Sequence, residues 1–249
     1  MKKLVCLPVL LLLVHFLSAQ LNTETTWTPA EPSIDNKGKD FLFGLQVGVP
    51  SAAMRPAVKN NMGDVGFGGC FLFLSDPYTW GKAKRSSALR LGGGLGYTYY
   101  GRFKTEVPWN SYTGRVKTYY GIFDLKAIAR FRPQLDRGFH PFADLQAGMD
   151  LYTSTTREDL SVLEREDGDE DIDNTASASF SKGIGGGIAL GSRDPQKAKF
   201  VVRVMYNWGS QVKYVVRESM AYDQAQNTLV YERGKAPVRY VMIQVGVGL

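Results

Sequence analysis

Cysteine is nearly missing from this chain, which carries only Cys6 and Cys70. Cys6 falls in a segment expected to be removed, so no intramolecular disulfide can form and the usual staple of exported proteins is absent. Histidine is equally scarce, at His15 and His140. With one histidine left after processing, no Ser/His/Asp set can be assembled in more than one way, and hydrolytic catalysis is not expected. Long apolar runs are missing beyond the first twenty residues. No later stretch approaches the roughly 20 uninterrupted apolar residues that a membrane helix needs, which excludes a helical membrane protein.

What is present begins with Met1 to Gln20. Lys2 and Lys3 form a positive n-region, Leu4 to Leu17 is almost unbroken apolar sequence, and Ser18-Ala19-Gln20 offers small residues for cleavage. This is the pattern of a secretory signal peptide. A lipoprotein signal is excluded because Cys6 does not follow the apolar run. Removing the two lysines lowers the formal charge from +6 to +4. Residues 21–40 are polar, carry Pro29 and Pro32, and read as an extended leader. The third region, residues 41–249, alternates apolar and small or polar residues throughout.

The alternation is clearest at the end. Val241, Ile243, Val245, Val247 and Leu249 are separated by Met242, Gln244, Gly246 and Gly248, which is a strand with one aliphatic face. Seven further strands of this kind are expected, at about Phe41–Val49, Asp64–Leu74, Ala88–Tyr100, Val116–Arg132, His140–Tyr152, Ser177–Leu190 and Phe200–Gly209. Eight is an even number and the smallest common size for membrane barrels. Each segment reaches the roughly 9–11 residues that a tilted strand needs to cross a bilayer.

The second face decides between a soluble β-sandwich and a barrel. A sandwich would show water a face rich in Lys, Glu, Ser and Thr. Here that face is rich in glycine, with sparse charges of both signs at Arg90, Asp124, Lys126, Arg130, Asp144, Asp150, Arg203 and Arg239. Such a composition suits a narrow lumen in which charges pair. Eight strands leave an interior just wide enough for side chains to fill. Arg90, Asp124, Lys126, Arg130, Asp144 and Arg203 are therefore expected to form a closed network rather than line a pore. The fold class is an all-β, eight-stranded antiparallel up-and-down transmembrane β-barrel.

Loop lengths and aromatics give independent tests. With the N-terminus on the periplasmic side, the connections at about 50–63, 101–115, 153–176 and 210–237 face outward. Those at about 75–87, 133–139 and 191–199 are periplasmic and hold turn formers such as Asp76-Pro77, Asp136-Arg137-Gly138 and Asp194-Pro195. Short periplasmic turns and long outer loops are the rule for bacterial barrels. Tyr97, Tyr99, Tyr119, Phe131, Tyr206 and Trp208 fall near strand ends, where an interfacial aromatic girdle belongs.

Several segments carry a resemblance. Arg130-Phe131-Arg132-Pro133 precedes a turn, and Phe139-His140-Pro141-Phe142-Ala143-Asp144-Leu145-Gln146-Ala147-Gly148 opens the next strand. With the Gly92-Gly93-Gly94 and Gly185-Gly186-Gly187 patterns and the aliphatic final strand, the chain resembles the small bacterial outer-membrane β-barrel family. Within it, the PorT-like barrels and, more distantly, OmpA- and OmpX-type barrels are similar. The resemblance spans essentially the whole mature chain, and its motifs are architectural. Leu249 stands where such barrels commonly end in Phe. The resemblance implies an outer-membrane location with both termini periplasmic. It also implies outer-membrane lipid, lipopolysaccharide and the outer-membrane assembly machinery as partners. A PorT-like role would add secretion-system components.

Three further groups were weighed for chemistry. Some eight-stranded barrels modify lipid A with a His and a Ser near the outer leaflet, but His140 falls at the periplasmic end and reads as turn-flanking. Asp167, Asp169, Asp171 and Asp173 alternate in an outer loop and present oxygen ligands of the kind Ca²⁺ takes. Ile172 stands where an EF-hand would need Gly, and a run of like charges is ordinarily a solvated loop. Cys70 falls on the inner face of its strand as a small packed residue. No cofactor and no nucleic-acid partner are expected. The expected role is non-enzymatic, in envelope integrity or in surface interaction through the outer loops. The alternative is a PorT-like accessory of protein secretion, with a lipid A-modifying enzyme or a small pore behind it.

Overall fold

The computed structural model describes residues 39–58, 64–77, 88–109, 112–133, 139–158, 171–191, 199–216, 219–223, 225 and 228–248. The expected signal peptide and all but the last two residues of the expected leader lie outside them. Eight long strands form the wall: β1 (Lys39–Pro50), β2 (Gly66–Ser75), β3 (Leu89–Trp109), β4 (Tyr112–Phe131), β5 (Phe139–Glu158), β6 (Asp171–Gly191), β7 (Lys199–Val215) and β10 (Arg233–Gly248). A four-residue helix, α1 (Arg55–Val58), lies between β1 and β2. A small hairpin, β8 (Ala221–Asp223) with β9 (Thr228–Val230), lies between β7 and β10.

The eight wall strands close in the order β1-β10-β7-β6-β5-β4-β3-β2, each antiparallel to its neighbours. Closure joins the first and last wall strands, with Val47 opposite Ile243 and Leu45 opposite Val245. The ladder is staggered. Val241 is opposite Val49, yet following its row through Tyr206, Ile184, Leu145, Ala129, Leu91 and Ser75 returns to β1 at Lys39. Positions 49 and 39 differ by ten residues, and that stagger tilts the strands and keeps the interior narrow.

Period-two alternation sets the two faces. Leu42, Gly44, Gln46 and Gly48 of β1 are buried, while Phe41, Phe43, Leu45 and Val49 are exposed. The other wall strands repeat the arrangement with Phe67, Leu95, Leu125, Leu145, Ile184 and Val204 outside. Arg239, expected on the inner face, is instead exposed, because it lies between the inward-facing Val238 and Tyr240.

The strands run further on the side of α1 than the hydropathy pattern indicated. β3 to β6 are 20 or 21 residues long, about twice what crosses a bilayer. Most of residues 101–115 and much of residues 153–176 and 210–237 are strand rather than loop. The expected strand two starts later, at Gly66, because Asp64 takes a left-handed conformation (φ 65°). On β5 the extension is hidden because alternation there is between polar exposed and polar inward residues. Thr153, Thr155 and Thr156 favour strands by β-branching and side-chain packing, not by hydrophobicity. A bulge at the base of the β3 extension, between Tyr99 and Gly101, needs glycine, since Gly101 has φ 93°.

Candidate functional site

The interior is stacked in three layers. The layer at one end is apolar and includes α1 and the turn before it, whose Met54, Ala57 and Val58 are wholly buried against Tyr100, Tyr120, Tyr152, Met205 and Met242. These three residues stand at i, i+3 and i+4, the spacing of one helical face. Tyr152 Oη donates to the Ala57 carbonyl and ties the helix into the barrel. The connection read as an open outer loop is therefore in part a plug. The helical spacing of Met54, Ala57 and Val58 was the signal that could have shown it.

The middle layer is polar. Arg130 forms a two-pronged pair with Asp144, Nε to Oδ1 at 2.8 Å and Nη2 to Oδ2 at 2.9 Å. Arg203 Nε donates to the same Asp144 Oδ2 at 2.6 Å, so one carboxylate holds two guanidinium groups. Arg203 Nη1 reaches Gln244 Oε1 at 2.6 Å and Nη2 reaches Gln146 Oε1 at 2.8 Å. From Gln244 the chain of bonds passes to Gln46 at 2.9 Å, then to Thr98 at 2.8 Å and Asp124 at 3.4 Å. Lys126 pairs with Asp150 and also donates to Ser181, while Tyr240 Oη donates to Asp150 at 3.3 Å. Among the described residues Asp150 Oδ2, Asn207 Nδ2, Tyr100 Oη and Ser154 Oγ find no hydrogen-bond partner.

The third layer, at the end of the barrel opposite α1, is apolar again, formed by Leu42, Leu72, Leu74, Ile128, Phe142 and Val201. The Arg130 guanidinium lies 3.8 Å from the centre of the Phe142 ring, which carries the stack from the polar layer into this one. At the mouth Arg90 Nη1 meets Asp76 at 2.6 Å and Arg132 Nη1 meets Asp40 at 3.1 Å.

All six charged residues expected inside are buried, but the structure divides them. Arg130, Asp144 and Arg203 touch one another. Lys126 and Asp124 find Asp150 and Gln46, and Arg90 stands apart with Asp76. The fully buried charges of the described residues balance, with Arg90, Lys126, Arg130 and Arg203 against Asp76, Asp124, Asp144 and Asp150. In the sequence Asp76 reads only as a turn former, and Gln46, Gln146 and Asn207 carry no charge that marks them for the network. Burying an ion costs several kcal/mol unless partners compensate it, which is why amides fill the gaps between the pairs.

The outer surface is the reverse of a soluble protein's. Phe43 and Leu45 are each 74% exposed, and Phe180 and Leu145 stand out similarly. Tyr97, Tyr99, Tyr206 and Phe131 are exposed, whereas Tyr119 and Trp208 are half-exposed. Tyr206 and Trp208 stack at 5.7 Å. Tyr119 is set further out than the others, near Arg157. At the other end Phe41, Phe139 and Phe200, not singled out from sequence, join Phe131, and Phe41 packs on Phe73 at 5.0 Å.

The remaining expected sites separate from this architecture. His140 is the second residue of β5, at the end of the barrel opposite α1. Cys70 is buried inside β2, opposite Gly44 and Gly96. Asp167 and Asp169 lie outside the described residues; Asp171 and Asp173 begin β6, but their side chains are not among those described. Among the described residues no group of three His, Cys, Asp or Glu side chains could hold a metal ion.

An apolar outer belt around a closed, even-stranded wall with an ion-paired interior defines a transmembrane β-barrel with a filled lumen. Three solved structures are similar to this chain. Neisserial surface protein A is 16% identical with a TM-score of 0.41, over 85% of this chain and 96% of that one. A major outer membrane protein from Thermus thermophilus is 10% identical with a TM-score of 0.47, over 84% and 98%. The attachment invasion locus protein Ail of Yersinia pestis, solved with the heparin analogue sucrose octasulfate, is 11% identical with a TM-score of 0.42, over 86% and 99%. No protein-family profile matches the chain, and neither does any curated protein sequence.

Proposed function

We propose that this chain is a non-enzymatic barrel of the outer membrane of a diderm bacterium. It serves envelope integrity or surface interaction through the part of the wall that rises beyond the lipid. The observation that carries this is the lumen, which is filled from end to end by α1, the Arg130–Asp144–Arg203 network and the periplasmic apolar layer. A through-path for solute would need all three layers to part. What the fold offers instead is surface, since β3 to β6 are about twice the length needed to cross. The expected signal peptide and the apolar belt support the location.

Planar-bilayer recordings on the purified protein test the reading. The expected result is baseline current with no sustained open level; steady ion conductance would overturn it.

A further inference from the structure

We infer that the end of the lumen opposite α1 holds a binding site for a short aliphatic monocarboxylate, with the Arg130 guanidinium as its floor. A recess opens there between β1, β2, β4, β6, β7 and β10. Its walls are Leu42, Leu72, Leu74, Ala189 and Val201, and its polar lining is Arg130, Arg132, Lys199 and Asp40. The recess is blind, because the Arg130–Asp144–Arg203 network closes it, so an occupied site and a filled lumen coexist. At the other end of the barrel α1 and the tyrosines packed on it take the corresponding space.

The floor carries a charge that its own contacts do not neutralise. Arg130 and Arg203 share the single carboxylate of Asp144, so this group of three holds one surplus positive charge. The matching surplus, Asp124 and Asp150 against Lys126, lies nearer α1 and is reached only through the amides of Gln244 and Gln46. Arg130 Nε and Nη2 are taken by Asp144, whereas Nη1 forms no hydrogen bond among the described residues. The side chain is 5% exposed and pinned between Asp144 and the Phe142 ring, so a donor aimed into the recess is in place before any ligand arrives. Above the floor Arg132 stands on the same face of the chain, and Lys199 faces inward between Gly191 and Gly248. Asp40 is the carboxylate of this rim and meets Arg132 at 3.1 Å. A rim with more cations than acids draws anions inward. Directly opposite Ala189, His140 Nε2 is shielded from water and finds no partner among the described residues, which leaves an unmet polar atom at the edge of the recess.

The lining selects the occupant. One surplus charge at the floor matches a monoanion. Phosphate and sulfate carry acceptor oxygens on every side, and aliphatic walls would leave most of them unsatisfied. A carboxylate puts both acceptors at one end, where Arg130 Nη1 makes a charge-assisted bond, and turns an alkyl group toward the leucines. Arg130 and Arg132 are two residues apart on one face, on the order of 7 Å, a depth that a chain of about four carbons fills. A long acyl chain would have to run out past the cations of the rim.

The test is equilibrium dialysis of radiolabelled butyrate against the full-length protein in nanodiscs, with empty nanodiscs subtracted. One saturable site per chain is expected. Unlabelled butyrate is expected to displace the label at least about tenfold better than butyramide, which keeps the shape without the charge, and than phosphate. Arg130→Lys keeps a cation for Asp144 but removes Nη1, and is expected to weaken binding by about tenfold or more. Ala189→Leu fills the recess from its wall, leaves every charge in place, and is expected to lose as much. Arg115→Gln, on the exposed part of β4, is expected to bind as wild type does. Folding of each variant is checked by its shift on unheated gels. The inference is overturned by the absence of a saturable site, or by butyramide or phosphate displacing the label as well as butyrate. Wild-type affinity in folded Arg130→Lys or Ala189→Leu overturns it equally. Planar-bilayer recordings are unaffected by any of these outcomes, so the two readings fail separately.

Discussion

Arg203 and Asp144 meet at 2.6 Å across the lumen although the whole of β6 separates their strands. Between them β6 presents only Gly185 opposite Asp144 and Gly187 opposite Arg203, so the two side chains meet over a strand that has no side chain in the way. Because Asp144 also holds Arg130, it is the shared counter-ion of two buried guanidinium groups.

Removing that carboxylate leaves two uncompensated charges. Asp144→Ala is expected to cost about 3–5 kcal/mol of unfolding free energy, the range for breaking one partner out of a buried pair. Glu106→Ala breaks the exposed pair with Arg115, 3.7 Å apart, and should cost less than about 1 kcal/mol. Urea titrations in detergent micelles compare the two. Similar midpoints for both variants would show that the lumen pairs contribute little.

The outer face predicts a sign that a soluble protein would not show. Leu45 is 74% exposed, so a charge there should be harmless if water surrounds it. In lipid, Leu45→Arg is expected to cost about 2–4 kcal/mol near the midplane. Ala176→Arg, on the part of β6 beyond the belt, should change stability by under about 0.5 kcal/mol. Equilibrium folding into vesicles measures both, and a neutral Leu45→Arg would sink the membrane-facing assignment.

One glycine is fixed by the network. A methyl group on Gly96 would lie 2.7 Å from Asp124 Oδ2 and 2.8 Å from Gln46 Nε2, so these hydrogen-bonded groups must shift. Gly96→Ala should destabilise by about 1–3 kcal/mol through overpacking. At Gly69, on the outer face, the nearest neighbour is 3.7 Å away, and Gly69→Ala should be tolerated. The difference in denaturation midpoint between the two alanines is the readout.

The helical plug is separable from the polar layer beneath it. Met54→Ala, which empties a fully buried site, is expected to cost about 2–5 kcal/mol. Because the Arg130–Asp144–Arg203 network is left intact, the same variant should still show baseline current in planar bilayers. Sustained conductance from Met54→Ala alone would mean that α1, not the polar layer, is the seal.

The sequence by itself determined the strands and their faces. Period two is written into each segment, so Val245, Leu45 and Leu125 face outward and Gln244, Gln46 and Asp124 inward without any knowledge of neighbours. Pairing of the first and last wall strands also follows, because an even set of antiparallel strands with no covered edge must close. The six inner charges were legible for the same reason. Arg239 was assigned to the wrong face although its place beside Tyr240 already fixed its direction.

Only the tertiary structure decided who meets whom. Which carboxylate serves which cation depends on the register between strands, which sets Arg130 opposite Asp144 and puts Gly185 and Gly187 under the reach of Arg203. The depth of α1 depends on the width of the mouth it enters. The reach of β3 to β6 beyond the lipid was hidden because hydropathy marks a strand only where one face meets an apolar medium. Above the belt the exposed face is polar, and there the strands persist by backbone pairing and by inward clusters such as Val116, Val215 and Met220.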